Sequence, residues 1–365
     1  MSRTPIVVAY NTKEVRTKNP VHVYPAKSVF IPPLPSDKKL RETWNNKNIA
    51  YYDVNDFFKD FKNFKEAKHL WLSVDGGIGD IIAMSAIFEY LKDYDITVYC
   101  NPSYWPIFDW FKHPPKLKAY NDVICANYGI DTKLTKYKDY ARINLDYAAV
   151  DGGRMNWFDA MFERIGVSEG YDKRPQLKTE RIEQLYHSYI YVFVPSILIC
   201  HKSSCQMRSS KFEDFYIPII KKYPNHRIYV HEIDLTDEDK IFTDYLSIND
   251  PIRGHLTIIP KCSLSEYFLN IYDADLVVGT DSAAIHFRES VEKPAIGVYG
   301  AFTTQSRTSG YKYVKSFNTV SDCPYQPCFI HETKQGEVCQ FAKEGDKYAA
   351  CQSGVNFQNQ LFNNL

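Results

Sequence analysis

Asp281 and Ser282, with His286 four residues further on, stand where a helix would begin at the mouth of a sheet. Before them, Leu276, Val277 and Val278 form a short apolar, β-branched run, the mark of a strand buried on both faces of a parallel sheet. Gly279 ends that run, and Thr280, Asp281 and Ser282 are N-cap residue types where a helix would begin. Free backbone N–H groups at such a start make a natural seat for a phosphate. A helix from Ser282 returns His286 towards the strand end, and Lys293-Pro294 leads into a second apolar strand, Ile296 to Gly300. The reading is a βαβ crossover whose polar mouth fits a nucleotide.

A second candidate group lies in Asp75-Gly76-Gly77-Ile78-Gly79-Asp80. It follows a predicted strand, His69 to Val74, and precedes a predicted helix, Ile81 to Leu91. Gly77 and Gly79, with Gly76, let the chain turn sharply and let a ligand approach the backbone. The run is not the dinucleotide fingerprint, because its third glycine is missing and Asp80 stands at the helix start. A carboxylate there would repel a pyrophosphate, yet it suits a proton acceptor. Capping of the helix by Asp80 is the competing use.

The loop His201 to Lys211 is polar, cationic and rich in serine. It lies between an apolar stretch and a predicted helix, Phe212 to Lys222, so Lys202, Arg208 and Lys211 are candidate contacts for an anionic leaving group. Glu232 directly follows the predicted strand Arg227 to Val230, where ligand contacts recur in open α/β sheets.

The elements that must carry these groups alternate strand and helix. Ile96 to Cys100 completes the first βαβ unit, Asp151 to Gly166 reads as a turn followed by a helix that Gly166 ends, and Tyr189 to Pro195 reads as the strand that opens a second half. Leu256 to Pro260 is a further strand, and Ser263 caps the next helix. Ahead of these, Ile6 to Tyr10 reads as a strand. Asp56 to Lys65 reads as an amphipathic helix with Phe57, Phe58, Phe61 and Phe64 on one stripe.

At 365 residues the chain exceeds one ordinary core and divides into two domains with additions at each end. The expected division is an extension over 1–65, an acceptor-side domain over 66–180, a nucleotide-side domain over 189–320 and a tail over 321–365. Lysine plus arginine (44) equals aspartate plus glutamate (44), so no global basic field points to nucleic acid. No apolar run approaches a membrane span and no signal-peptide segment opens the chain, which places the protein in the cytoplasm. An odd count of nine cysteines argues against a disulfide framework.

Taken in order, Gly79-Asp80 and the run Ala274-Asp275 through Gly279, Asp281-Ser282 and His286 to Lys293-Pro294 resemble the heptosyltransferases, glycosyltransferase family 9. The resemblance spans roughly residues 68–330. It implies an α/β chain of the GT-B type, two Rossmann-like domains facing a central cleft. It also implies an inverting transfer of a sugar from a nucleotide-diphosphate sugar to an acceptor hydroxyl, with no metal in the chemistry. On that likeness Asp80 is the general base. Asp281, Ser282 and His286, with the amides of Ala283 and Ala284, hold the donor's diphosphate and sugar. Arg208 or Lys211 meets the diphosphate, and Glu232 sits near the ribose or base. The chain departs from the family at Ser209-Ser210-Lys211-Phe212 and at Ala283-Ala284, so a heptose donor is not implied.

Cys323, Cys328, Cys339 and Cys351 crowd the tail. Four cysteines there suggest a structural thiolate site for zinc or iron, and reduced cysteines packing the tail are the alternative. The autotransporter heptosyltransferases, which this tail resembles, carry a four-cysteine iron site with other spacings.

The acceptor is open among a saccharide, a protein side chain and a hydroxylated pyrimidine in DNA, the last in the manner of phage enzymes. For DNA, Lys112, His113, Lys116, Lys118, Lys133, Lys136 and Lys138 are the basic candidates, although interspersed acids favour a solvated surface. A non-catalytic binding module and an epimerase acting on a UDP-sugar are the alternatives to transfer. A carboxylate at position 80 favours the enzyme.

Overall fold

The computed structural model describes all residues except 1–6, 12, 17–22, 25, 27–28, 31–48, 54–57, 74–76, 120–122, 126–138, 144, 146–154, 179–187, 191–192, 204–205, 250–254, 329–338 and 340–347. The strands are β1 (Val7–Asn11), β2 (Val15–Arg16), β3 (Val23–Tyr24), β4 (Val29–Phe30), β5 (Ile49–Asp53), β6 (Lys59–Asp60), β7 (His69–Ser73), β8 (Asp95–Tyr99) and β9 (Lys116–Lys118). They continue with β10 (Val123–Cys125), β11 (Tyr140–Ile143), β12 (Ser196–Cys200), β13 (Arg227–His231), β14 (Leu256–Ile259), β15 (Leu276–Thr280), β16 (Ala295–Tyr299) and β17 (Val314–Asn318). The α-helices are α1 (Ile78–Phe88), α2 (Trp105–Phe108), α3 (Trp157–Ile165), α4 (Phe212–Lys222), α5 (Asp237–Asn249), α6 (Leu264–Asp273), α7 (Ala283–Ser290), α8 (Thr304–Arg307) and α9 (Gly354–Asn364).

Two parallel sheets organise the chain. The second has the order β14-β13-β12-β15-β16-β17, all parallel. Counted within the sheet this is 3-2-1-4-5-6, the doubly wound order that reverses between its first and fourth strands. Every residue of β12 and β16 is buried, which accounts for their unbroken apolar runs. At that reversal β12 and β15 lie so close that a Cβ on Gly279 would stand 2.6 Å from the Cys200 carbonyl oxygen, so only glycine fits. The first sheet, β6-β11-β7-β8-β9, repeats the pattern, with its reversal between β7 and β11. A ligand crevice opens at such a reversal because the connections leave in opposite directions.

A smaller antiparallel sheet, β10-β4-β1-β5, contains the expected strand near Ile6 to Tyr10. Its edge strand β10 comes from beyond position 65, whereas β6, before that position, pairs with β11 in the parallel sheet. One buried core runs through both halves, from Leu70, Ile82 and Phe88 to Leu198, Phe268 and Phe287.

Two expectations fail here. No helix covers Asp56 to Lys65. Among its described residues the chain makes β6 and a single 3-10 turn, Phe61–Asn63. The Asp60 carboxylate caps that turn by accepting from the Lys62 N–H, while Phe58 stacks on Trp71 at 4.9 Å and Phe61 packs edge-on against Tyr94. Aromatic burial against the sheet outweighs a weak helical period, and Phe57 lies outside the described residues. The strand expected over Tyr189 to Pro195 instead begins at Ser196. Pro195 lacks the N–H a ladder needs, and the Asp275 carboxylate accepts from both the backbone N–H and the hydroxyl of Ser196, at 2.8 and 2.9 Å. Phe193, just before, is 94% exposed.

Candidate donor site and facing carboxylate

β15 ends at Thr280, and Ser282 is the N-cap of α7 with extended backbone. Its hydroxyl makes no cap and, among the described residues, is buried without a hydrogen-bond partner, as is the hydroxyl of Thr280. The Ala283 and Ala284 amides lie in the first turn, where N–H groups have no intrahelical acceptor. Asp281 is 2% exposed and meets three groups. Its Oδ2 accepts from Arg208 Nη1 at 3.2 Å and lies 4.0 Å from Arg307 Nε, and its Oδ1 lies 3.6 Å from His286 Nε2. Burial alone would raise its pKa. Arg208, the His286 hydrogen bond and Arg307 together outweigh burial and hold the carboxyl below the usual carboxylate range.

The arrangement places two guanidinium groups, one buried carboxylate and a helix N-terminus at the point where the sheet order reverses. Arg307 is fixed by aromatic faces on two sides, 4.6 Å from the Trp157 ring centre and 3.8 Å from that of Phe302. Trp157 also packs against His286 at 4.8 Å. Asn156 caps α3 by accepting from the Phe158 N–H, and its Nδ2 donates to the Gln305 carbonyl and the Ser309 hydroxyl. Through these contacts the first half buttresses the mouth built by the second.

Across the mouth, α1 begins with Gly77 as N-cap, three residues earlier than the predicted helix over Ile81 to Leu91. Asp80 Oδ2 accepts from the Gly77 N–H at 2.6 Å, so Asp80 does cap the helix. Among the described residues its other oxygen, Oδ1, accepts no hydrogen bond. Gly79 touches the second half directly. A Cβ there would stand 3.3 Å from His286 Cδ2 and 3.5 Å from Ala283 Cα, so a larger residue would press on the imidazole edge. The N-termini of α1 and α7 therefore abut, and Asp80 follows the residue in contact.

Of the remaining candidates, Lys211 is the N-cap of α4, and its ammonium stands 5.9 Å over the Tyr348 ring rather than at Asp281. Lys202 acts on the half-buried Asp234. Glu232 opens an exposed turn after β13. Gly76, Lys133, Lys136 and Lys138 lie outside the described residues. Lys112 donates to Gln176, His113 pairs with Glu89 and Lys116 with Asp95, so these basic groups are tied to partners rather than gathered in a stripe.

Sequence reasoning missed Asn156, Trp157, Arg307 and Tyr311. The one available signal was positional: Arg307 and Tyr311 follow the carboxyl end of β16, on the same rim as Asp281.

In the tail Cys351 is buried. Its thiol is pushed up to about 12 by burial and by the nearby Cys328, Cys339 and Cys323 thiols. Among the described residues no three histidine, cysteine, aspartate or glutamate groups stand close enough to hold a metal ion. No helix of the described residues is long and apolar enough to cross a membrane.

Residues 245–338 match the family model of glycosyltransferase family 9 (heptosyltransferase). No curated protein matches the chain. Among solved structures, the bacterial iron-containing dodecameric glycosyltransferase TibC from enterotoxigenic E. coli aligns over 100% of this chain and 91% of its own, at 12% identity and a TM-score of 0.51. TibC in complex with ADP-D-beta-D-heptose aligns over 98% and 90%, at 11% identity and a TM-score of 0.51. E. coli heptosyltransferase WaaC with ADP aligns over 69% and 93%, at 12% identity and a TM-score of 0.49. At these identities the likeness is one of fold. The chain thus has the two-sheet GT-B architecture of the heptosyltransferases, and its carboxy-terminal half carries a stretch matching the glycosyltransferase family 9 model.

Proposed function

We propose that the protein is an inverting glycosyltransferase that moves a sugar from a nucleotide-diphosphate sugar to an acceptor hydroxyl. The observation that carries this reading is the abutment of two helix N-termini at the mouth, one bearing Asp80 and the other Ser282 and His286. Arg208, Arg307 and the first amides of α7 would take up the charge that develops on the leaving diphosphate. Asp80, its Oδ2 held by the Gly77 N–H, would present Oδ1 to the acceptor hydroxyl and accept its proton as the bond to the sugar forms. Glu232 would lie by the ribose or base. The acceptor would be a saccharide, a protein side chain or a hydroxylated pyrimidine in DNA.

Four mutually influencing cysteines are a soft donor set suited to zinc or iron. Cys323, Cys328, Cys339 and Cys351 are of the type that would pin the tail through such an ion, but as placed no three of them stand close enough to hold one, so no metal is assigned to the tail.

A thermal-shift series with ADP-, UDP-, GDP- and CDP-sugars tests the donor site, since a ligand of the native state raises the midpoint by mass action. One nucleotide class should shift the wild type, and no shift with any of them would overturn the reading. Asp80→Asn keeps an oxygen for the Gly77 N–H, so it should bind donor and melt as the wild type does. Turnover, read as sugar-nucleotide hydrolysis or transfer, should fall by about 10²–10⁴. Full turnover in Asp80→Asn would leave the carboxylate only its capping role.

A further inference from the structure

We propose that Tyr311 is a positioning residue for His286, holding its imidazole as the neutral form with the proton on Nε2, aimed at Asp281 and the diphosphate mouth. The inference rests on the reading of that mouth as the donor site. Its first support is the partner of each ring nitrogen. Nε2 lies 3.6 Å from Asp281 Oδ1, and an ionised carboxylate only accepts, so the nitrogen facing it carries a proton. Nδ1 lies 2.6 Å from the Tyr311 hydroxyl. Among the described residues the Tyr311 hydroxyl has no hydrogen-bond partner other than this nitrogen, so its proton is donated to Nδ1. A ring that accepts at Nδ1 and donates at Nε2 is a single neutral tautomer.

The second support is how firmly the chain fixes this pair. Glu289, on α7 beyond His286, accepts from the backbone N–H groups of Lys312, Tyr313 and Val314 at 2.9, 2.9 and 3.1 Å. The helix that carries His286 therefore also anchors the backbone that follows Tyr311. Trp157 covers the imidazole face and Gly79 stands against its Cδ2 edge. The ring is bounded on every side that the described residues reach, and Tyr311 is the group that decides which nitrogen bears hydrogen. Arg208 and Arg307 supply the positive charge of the mouth, while His286 adds a directed N–H without a further charge.

The test uses the full chain labelled with 15N-histidine, His286 being assigned through His286→Gln. The wild type should show an unprotonated Nδ1 and a protonated Nε2, and Tyr311→Phe should show a mixture of both neutral tautomers. The resonances of the other histidines should stay in place, which controls for folding. ADP, UDP, GDP and CDP are then titrated separately. The nucleotide that binds the wild type should bind Tyr311→Phe about tenfold more weakly, with the KM of the sugar nucleotide rising in step and kcat little changed. A doubly protonated or Nδ1–H ring in the wild type would overturn the proposal, as would Tyr311→Phe with an intact Nε2–H form and full affinity. If no nucleotide binds the wild type while Tyr311→Phe still scrambles the tautomer, the positioning role stands and the donor-site reading fails.

Discussion

Asp234 shows at the scale of one residue how burial near the mouth sets a charge state. It lies beyond β13, with His231 Nδ1 3.9 Å from its Oδ2, and Cys200, Cys262 and Tyr267 share its surroundings. Burial raises its pKa to about 6, with His201 and Lys202 opposing the rise. Its folded pKa is thus above the unfolded value near 3.9. Between about pH 4 and pH 6 the folded state holds more protons than the unfolded one, so stability falls as pH rises through that window. Asp234→Asn should therefore raise the unfolding free energy by about 1–3 kcal/mol near pH 7.5 and leave it unchanged near pH 4. Chemical denaturation at the two pH values reads this, and an equal effect at both would refute the ionisation argument. Nothing in the local sequence announces that cost, because it comes from elements distant in the chain. Asp281, by contrast, was legible from its place after an apolar strand, whereas its partner Arg307, and Tyr311 behind His286, were not. Their role depends on a crossover bringing the end of β16 beside the end of β15.

At the scale of the element, α7 is held from its far end by Arg288. The side chain is fully buried and donates to the carbonyls of Ile271, Tyr272, Ala274, Asp275 and Pro294, tying α7 to the end of α6 and to the strands on either side. Burial lowers this guanidinium to about 10, still charged at neutral pH. Arg288→Leu keeps much of the volume but strips those carbonyls of their donor. The expected loss is about 3–5 kcal/mol in denaturant unfolding. A loss under about 1 kcal/mol would mean that water replaces the guanidinium. α6 itself was legible, since Ser263 and Glu266 form a capping box, and so were the bounds of α4. β12 was misplaced because Tyr189 to Pro195 has the better strand composition. The true register comes from Asp275 gripping Ser196, a contact between residues far apart in sequence.

At the scale of the molecule, two βαβ halves with glycine and acid at their first turns could be read from the sequence, but their docking could not. Each half shows its own period in the sequence, while the surface it offers to the other is a mixture of side chains from several elements. Trp110 illustrates this. It belongs to the first half, lies 3% exposed, and packs its ring against Phe268 at 5.2 Å and Phe287 at 5.3 Å in the second. Phe287 adjoins His286 on α7, so the same helix receives the first half's core on one residue and faces the mouth with the next. A shared core of this kind makes each half dependent on the other, and the two should melt in one calorimetric transition whose van't Hoff and calorimetric enthalpies agree. Trp110→Ala removes the aromatic bridge and should cost about 3–5 kcal/mol. It should also split the transition, because each parallel sheet keeps its own helices when the bridge is gone. Two transitions in the wild type would show that the halves fold as independent domains, and the abutment of α1 with α7 would then have to be held by contacts at the mouth alone.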